Sequence, residues 1–413
     1  MPNAFRLAGA AVVFGAVAVA GCNLDVANPA VIDAATFDPT ADGQTLSLSA
    51  QTNFFIAFQD VAQYGGLISE EAWTGAARAQ TKRLSARAFA STDDINADFF
   101  APLSRAIATN ENAAKTLAQG SGAATDLNLA RAYMNFGYSV ELMAETMCQG
   151  VIQGGPALSV QQLLDTAITA LGKAVTVAGA AGASGASIVN ESNVGLARAQ
   201  LQRGNYPAAI AAAALVPASF QINVLTSASL ATQATLGNVL YGTTVGGQLV
   251  ASPRYRVGDP RLPIDSTSPG ATLNGQKYVI QAKFRSYGDP IRLASGLEAQ
   301  YIAAEAALHA SGSTSAALAL INARRTAGGQ SAYGGATDTL AVISELLNQR
   351  ARDFWLEGKK LGDLRRNPSV PLSAVLTSPA GTAFYTNGAS AFGTTLCVPV
   401  PPQETNANPN FTP

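Results

Sequence analysis

The run Leu201-Gln202-Arg203-Gly204-Asn205-Tyr206-Pro207-Ala208-Ala209 decides the fold class. A glycine between two helical stretches permits a tight reversal that a Cβ would hinder. Tyr206 then fills the gap between the helices, and Ala209 lets them touch. The reading is an antiparallel helix pair over roughly 191–214. Working outward, Ser159 and Gln162 form a capping box ahead of Leu164, Ala167, Ile168 and Leu171, which share one helical face. Asp126 caps a helix carrying Leu127, Ala130, Met134, Tyr138 and Leu142 at helical spacing. Ser91-Thr92-Asp93-Asp94 reads as a capping-box start for a helix with Phe99, Leu103, Ile107 and Ala114 on one side. The first periodic stretch begins near Leu46, after a tether, and passes Phe54, Phe55, Phe58 and Val61 to a break at Gly65-Gly66. Residues 178–187, rich in Gly and Ala, read as a loop.

The Leu201–Ala209 pattern resembles a tetratricopeptide turn and gains weight from the helix pairs around it, although no clean repeat of about 34 residues runs through the chain. The expected fold is dominated by α-helix, with tetratricopeptide-like helical pairs carrying an irregular loop and β-hairpin insertion over about 218–292. The insertion is rich in Ser, Thr, Gly and Pro. Within it Asn274-Gly275 precedes a strand in which Tyr278, Ile280, Ala282 and Phe284 alternate with Lys277, Gln281, Lys283 and Arg285. Helices resume at about Gly296 and end in a long one from roughly Thr337 to Leu361, after which a Pro- and Gly-rich coil closes the chain.

At the N-terminus, Arg6 is followed by an uncharged apolar run from Leu7 to Ala20 and then Val19-Ala20-Gly21-Cys22. The run is short for a bilayer span, which needs about 20 apolar residues. This order of charge, apolar run and small residues resembles a bacterial lipobox, so residues 1–21 read as a signal peptide and Cys22 as the lipidation site. An ordinary secretory signal that happens to contain a cysteine is the alternative. Asn23 replaces the aspartate of the usual inner-membrane retention signal, which favours the outer membrane. Residues 22–413 then read as one helical binding domain. The two further cysteines, Cys148 and Cys397, lie in an exported, oxidising context that favours a disulfide over two buried thiols. With a formal net charge of −1, the chain lacks the basic excess that a nucleic-acid partner calls for.

Three stretches of the C-terminal third resemble the SusD/RagB family of outer-membrane nutrient-uptake lipoproteins. They are Pro290-Ile291-Arg292-Leu293-Ala294 leading into Glu298, Tyr301, Ala304, Glu305 and Ala306; Ile321-Asn322-Ala323-Arg324-Arg325-Thr326-Ala327-Gly328; and Arg350-Ala351-Arg352-Asp353-Phe354-Trp355-Leu356-Glu357-Gly358-Lys359-Lys360-Leu361-Gly362-Asp363-Leu364-Arg365-Arg366. Asp259-Pro260-Arg261-Leu262 and the ending Pro399-Val400-Pro401-Pro402-Gln403-Glu404 with Asn408-Pro409-Asn410 fit as well. The chain departs from the family at Lys360, where Arg is usual, and at Gln349, where Glu is common. On one continuous helix Arg350, Asp353 and Glu357 would share a face. That cluster reads either as a ligand site or, with greater weight, as a structural ion network.

The resemblance implies a lipid-anchored protein on the outer membrane, at the cell surface, which captures oligosaccharides or other oligomeric nutrients for a TonB-dependent, SusC-like barrel. Sugar rings stack on exposed aromatics. Trp73, beside Glu70 and Glu71, is the first candidate, followed by Tyr64 and Tyr287, each next to glycine, and by Tyr255 between Arg254 and Arg256. Trp355 reads as core. No catalytic residue, cofactor or metal site is expected: His309 is the only histidine, and no nucleophile, nucleotide-binding or zinc motif is present. The competing function is a tetratricopeptide-like envelope scaffold that binds another protein.

Overall fold

A computed structural model of the chain describes residues 38–267, 279–383 and 391–412. The signal peptide, Cys22, Asn274-Gly275 and Tyr278 lie outside them. By contact, the chain divides into residues 1–42 and a larger unit from Gly43 to Pro413.

The central turn forms as its residues dictate. Helix α6 (Ala186–Arg203) stops where Gly204 takes φ 81°, a left-handed conformation, and α7 (Tyr206–Ala214) starts with Pro207 in its first turn. Ala209 and Ala213 are buried with Ala197 and Leu201 against Ala299 and Ile302 of α10 (Gly296–Ser311), so small side chains bring three helices close together. Tyr206 stacks on His309, with ring centroids 5.0 Å apart. His309 occupies the last turn of α10 and its Nε2 lies 3.1 Å from Asn367 Oδ1, a structural role.

The N-terminal half of the larger unit is a stack of antiparallel helices. α1 (Pro39–Ile68), α3 (Ile95–Leu117), α4 (Leu127–Thr146) and α5 (Val160–Ala180) pack in succession toward α6; between α1 and α3 come β1 (Ala72–Thr74) and the short α2 (Ala79–Ser85). The caps at Asp126 and Ser159 form as expected, the second as a full capping box. α5 is apolar and long enough by composition to cross a membrane, but Leu164, Ala167, Leu171 and Ala174 are buried inside the bundle while Gln161, Asp165 and Lys173 lie on its outer side.

Several boundaries differ from expectation. α1 runs through Gly65-Gly66, because burial of Leu67 and Ile68 outweighs the helical penalty of two glycines, about 1 kcal/mol each. It ends where Glu70 adopts φ 65°. The Ser91–Asp94 box does not form: Asp94 precedes α3 without a side-chain cap, and Asp93 turns to Arg83 and to the Ala90 amide. The loop at 178–187 shrinks to a 3-10 turn, Gly182–Gly185, where a Cβ on Gly185 would lie 1.9 Å from the Ala178 carbonyl oxygen.

The insertion contains β2 (Gln221–Val224), α8 (Gln233–Leu236), α9 (Val239–Val245), β3 (Leu249–Ala251), β4 (Ile264–Asp265) and β5 (Ile280–Gln281), and closes with β6 (Ile291–Ser295). The strands make three two-stranded antiparallel pairs, β1 with β3, β2 with β6 and β4 with β5, so no second sheet domain exists among the described residues. Beyond α10 come α11 (Ser315–Ala327) and α12 (Thr339–Asp353), which share a core of Tyr301, Ile321, Leu346 and Phe354. The long final helix is in fact two. Leu356 at φ 57° and Gly358 at φ 70° break it, and α13 (Lys360–Arg366) resumes beyond. A short α14 (Pro402–Ala407) lies in the closing coil. Cys148 and Cys397 form a disulfide across 249 residues. Beside it the Cys148 amide donates to Val398 O at 2.9 Å.

Candidate functional site

The break after α12 determines what the charges of the 350–366 stretch do. Because Glu357 has left the helix, Arg350, Asp353 and Glu357 do not pair with one another. Arg350 Nε bonds Asp363 at 2.8 Å. Asp353 accepts from Arg324 at 2.7 and 2.8 Å, from Arg261 at 3.2 Å and from the Tyr301 hydroxyl at 2.6 Å. Glu357 accepts from Arg292 at 2.9 Å and from Lys283 at 2.6 Å. Deeper still, Arg198 links Glu141 and Glu298 at 3.1 and 2.8 Å. Burial opposes ionisation of Glu298, yet Arg198, Lys359 and Arg350 together hold it down at about 2. This network staples β6, α6, α10, α12 and α13 to one another and is structural in its interior. Lys360, the departure from the resembled pattern, donates to Leu376 O at 3.1 Å and lies 4.7 Å from the centroid of the Tyr255 ring.

That contact removes one candidate. Tyr255 is fully buried and stacked on Trp355 at 5.7 Å between centroids, so it is core and presents no face to a ligand. Its neighbours Arg254 and Arg256 suggested a polar loop, but the 3-10 turn Pro253–Tyr255 points the ring inward. Trp355 is core too, its indole donating to Glu71 O at 2.9 Å. Trp73 in β1 is half-buried; its indole donates to Glu70 Oε1 at 3.2 Å and its ring packs 6.4 Å from Phe392. Glu70 in turn accepts from the Ser378 hydroxyl at 2.8 Å. Trp73 therefore stands in a local network with Glu70 and Ser378, which Arg254 joins through its Nε at 3.3 Å.

Tyr287 lines a cleft against α1, the helix that carries Tyr64, but Tyr64 is not among the cleft's lining residues. This cleft, of about 460 Å³, lies between α1 and the insertion, with Ile56, Gln59 and Asp60 on one wall and Asn238, Thr243 and Tyr287 on the other. The Tyr287 ring fits because a Cβ on Gly237 or Gly242 would come within 2.8 or 3.0 Å of it, and Tyr241 meets it edge-on at 5.0 Å. Gln59 and Asn238 are buried and spoken for: Gln59 accepts from the Val239 amide at 3.0 Å, and Asn238 donates to Asp289 O at 2.7 Å. They fix the walls. Asp60 is half-buried and makes no hydrogen bond to a described residue, and burial followed by the nearby charge of Asp98 pushes its carboxyl up to about 7. Tyr64, one turn along α1, is half-buried against Phe99, and burial with Asp60 and Asp98 raises its hydroxyl to about 12. Asp60 carries no sequence signal; its exposure at a cleft follows only from how α1 meets the insertion. An aromatic edge, a hydroxyl and a carboxyl near neutrality in one cleft can hydrogen-bond hydroxyls and pack against a ring, and among the described residues no group of three or more His, Cys, Asp or Glu is placed to hold a metal ion.

Comparisons with known proteins agree with this architecture. The model of the SusD family matches residues 290–412, which hold Arg292, Glu298, Arg350, Asp353, Glu357 and Asp363 of the ion network. A SusD superfamily protein from Parabacteroides distasonis superposes with a TM-score of 0.69 at 14% identity, over 91% of this chain and 99% of that one. A SusD-like carbohydrate binding protein from Bacteroides vulgatus gives 0.68 at 16% identity, over 91% and 98%. A SusD/RagB family protein from Bacteroides thetaiotaomicron gives 0.65 at 14%, over 89% and 94%. No curated protein sequence matches. The chain is SusD/RagB-like: its fold is similar to that of a SusD superfamily protein over 91% of the chain, and residues 290–412 match the SusD family model.

Proposed function

We propose that this chain is a lipid-anchored outer-membrane binding protein, acylated at Cys22, that captures oligosaccharides for a TonB-dependent, SusC-like barrel. It acts by binding and not by catalysis. The carrying observation is the cleft in which Tyr287, held by two glycines, faces Asp60 and the polar edge of α1. Such a mixture of one aromatic and a few convergent polar groups suits a sugar ring better than a peptide side chain or a flat apolar partner. The SusD-like fold supports the same reading, and one similar structure is described as carbohydrate binding.

Calorimetric titration of the full-length protein with neutral oligosaccharides tests it. Binding is expected, with Tyr287→Ala weakening it about tenfold. A panel in which no oligosaccharide binds, or in which Tyr287→Ala binds as tightly as the parent, overturns the saccharide reading. The partner is tested separately, by purifying the tagged, acylated protein from detergent-solubilised native membranes and identifying co-eluting chains. A stoichiometric β-barrel is expected; recovery of the lipoprotein alone, where a control barrel pair survives, removes the transporter. The scaffold reading draws on a second feature, a groove of about 870 Å³ along α3, α4 and α5 lined by Tyr133, Phe136, Lys115 and Lys173. A soluble envelope protein recovered in place of a barrel would favour it.

A further inference from the structure

A second cleft, of about 510 Å³, opens on the other side of the insertion, where β2, β6 and the ends of α11 and α12 meet. Four cationic side chains line it: Arg261, Lys283, Arg292 and Arg324. The carboxylates on its wall are Asp353, Glu357 and Asp289. Their placement is uneven. Asp353 and Glu357 are 2 and 3% exposed, while Arg324, Lys283 and Arg292 are 25, 21 and 19% exposed. Asp353 and Glu357 form the floor and Arg324, Lys283 and Arg292 the rim, while Arg261, 10% exposed, lies deeper and Asp289 is half-buried.

The carboxylate oxygens are also already occupied. Asp353 serves Arg324, Arg261 and Tyr301, and Glu357 serves Arg292 and Lys283. Asp289 accepts from the Ser286 amide at 3.0 Å and the Ser286 hydroxyl at 2.9 Å. On the cationic side, donors remain. Arg324 uses Nε and Nη2 on Asp353, Arg292 uses Nε and Nη2 on Glu357 and Nη2 also on Asp353 O, and Nη1 of each donates to no described residue. Lys283 Nζ makes two contacts, to Trp355 O and Glu357, and keeps a third hydrogen. The cleft is thus a rim of N–H donors backed by buried carboxylates that hold the guanidinium planes in place. Pro290 and Leu297 add apolar surface, and Asn223 projects its amide from β2.

The geometry points to this cleft as a binding site for an oxyanion carried by an oligomeric ligand, a carboxylate or sulfate ester attached to a sugar ring. The Nη1 groups of Arg292 and Arg324 and the third Lys283 hydrogen suit either group, because charge-assisted N–H bonds from fixed donors can meet the separate oxygens of one planar or tetrahedral anion. The apolar patch takes the ring face. A neutral sugar leaves the unpaired donors unmatched and gains only the ring contact. The site is separate from the Tyr287 cleft, and it stands whether or not that cleft binds sugar.

The test titrates the full-length protein with three probes: a trimer of galacturonic acid, a trimer of galactose, and a sulfated galactose oligomer. At least one acidic probe is expected to bind about tenfold or more tightly than the neutral trimer, with affinity that falls as salt rises. Whichever acidic probe binds identifies carboxylate or sulfate as the source. Asn223→Asp sets a new carboxylate at the rim without touching the ion pairs and is expected to weaken acidic binding by about tenfold. Arg324→Gln should do the same, while Tyr287→Ala should leave acidic binding intact. Equal affinity for acidic and neutral trimers, absence of acidic binding, loss of acidic binding in Tyr287→Ala, or indifference of a folded Asn223→Asp protein each overturns the proposal.

Discussion

Asp60 and Glu191 are carboxyls held near neutrality by opposite uses of burial. Asp60 sits at a cleft, raised to about 7 by burial and by Asp98, whose own partner is Arg78 at 2.6 Å. Below that value it carries a proton and can donate; above it, it accepts only. Oligosaccharide affinity in the Tyr287 cleft is therefore expected to change between pH 6 and 8, about a unit either side of that value, and Asp60→Asn to flatten the profile, as titrations at several pH values would read. Glu191 lies buried within α6. Burial raises it to about 8, with Arg131 opposing. Since the folded value lies above the unfolded one, its favourable contribution is complete below about 4.5 and is lost as pH rises through about 8. Glu191→Gln should leave the melting temperature nearly unchanged at pH 5 and raise it at pH 9, and an equal effect at both would contradict the assignment. Neither carboxyl announces itself in the chain. Both lie on helices whose partners are fixed by tertiary packing, so the shift is invisible in local pattern, whereas Tyr287 and Tyr64 could be singled out because a tyrosine beside glycine is an adjacent-residue signal. The same adjacency misleads at Tyr255, where flanking arginines suggest solvent and the ring in fact lies under Lys360.

At the scale of elements, close approach between helices is set by single small residues. Gly137 of α4 faces α5, and a Cβ there would lie 2.6 Å from Leu171 Cγ and 3.2 Å from the Ala167 carbonyl oxygen. Gly195 of α6 faces Tyr138 in the same way, at 2.8 Å from its Cζ. Gly137→Ala is expected to destabilise the protein by about 1–3 kcal/mol, the range for overpacking a well-filled core. Adding Leu171→Ala should recover part of that loss in chemical unfolding, since it opens the space the methyl needs; a double variant worse than the sum of the two would rule out the steric account. Helix starts at Asp126 and Ser159 are legible in sequence because a cap and its amide lie within three residues of each other. Helix ends are legible only where glycine takes left-handed φ, as at Gly204. The break at Leu356–Gly358 escapes such a reading because Leu356, a good helix former, is forced to φ 57° by burial of its neighbours and by Glu71, whose carboxylate accepts the Leu356 amide at 2.8 Å. That partner is far away in sequence. Separations of 29 to 92 residues likewise part Asp353 and Glu357 from the arginines and lysine that pair with them, which is why a helical-face reading of the cluster finds the right residues and the wrong partners.

In the larger unit, the closing segment is joined to the helical stack by a covalent tie as well as by packing. The Cys148–Cys397 disulfide fastens the end of α4 to the closing segment, and beside it the Val398 amide donates to Thr146 O at 2.9 Å. Val398 and Val400 are buried in the main core, but the segment around them is coil with few backbone partners of its own, apart from short α14. A segment of that kind is held by what it is attached to, and it should be among the first to open when the attachment goes. For a loop spanning 249 residues the chain-entropy account gives about 5 kcal/mol of stabilisation, with measured values commonly lower. Replacing both cysteines by serine is therefore expected to lower stability by about 2–5 kcal/mol in guanidinium unfolding. The loss should not be uniform. Amide exchange in residues 391–400 should quicken markedly in the reduced or serine form, while α4, α5 and α6, which keep their shared core, retain protection. If exchange instead rises equally throughout the helices, the tie would be holding the bundle itself and not the closing segment. If neither stability nor exchange changes, packing of Val398 and Val400 alone fixes the C-terminus, and the disulfide adds nothing to the fold.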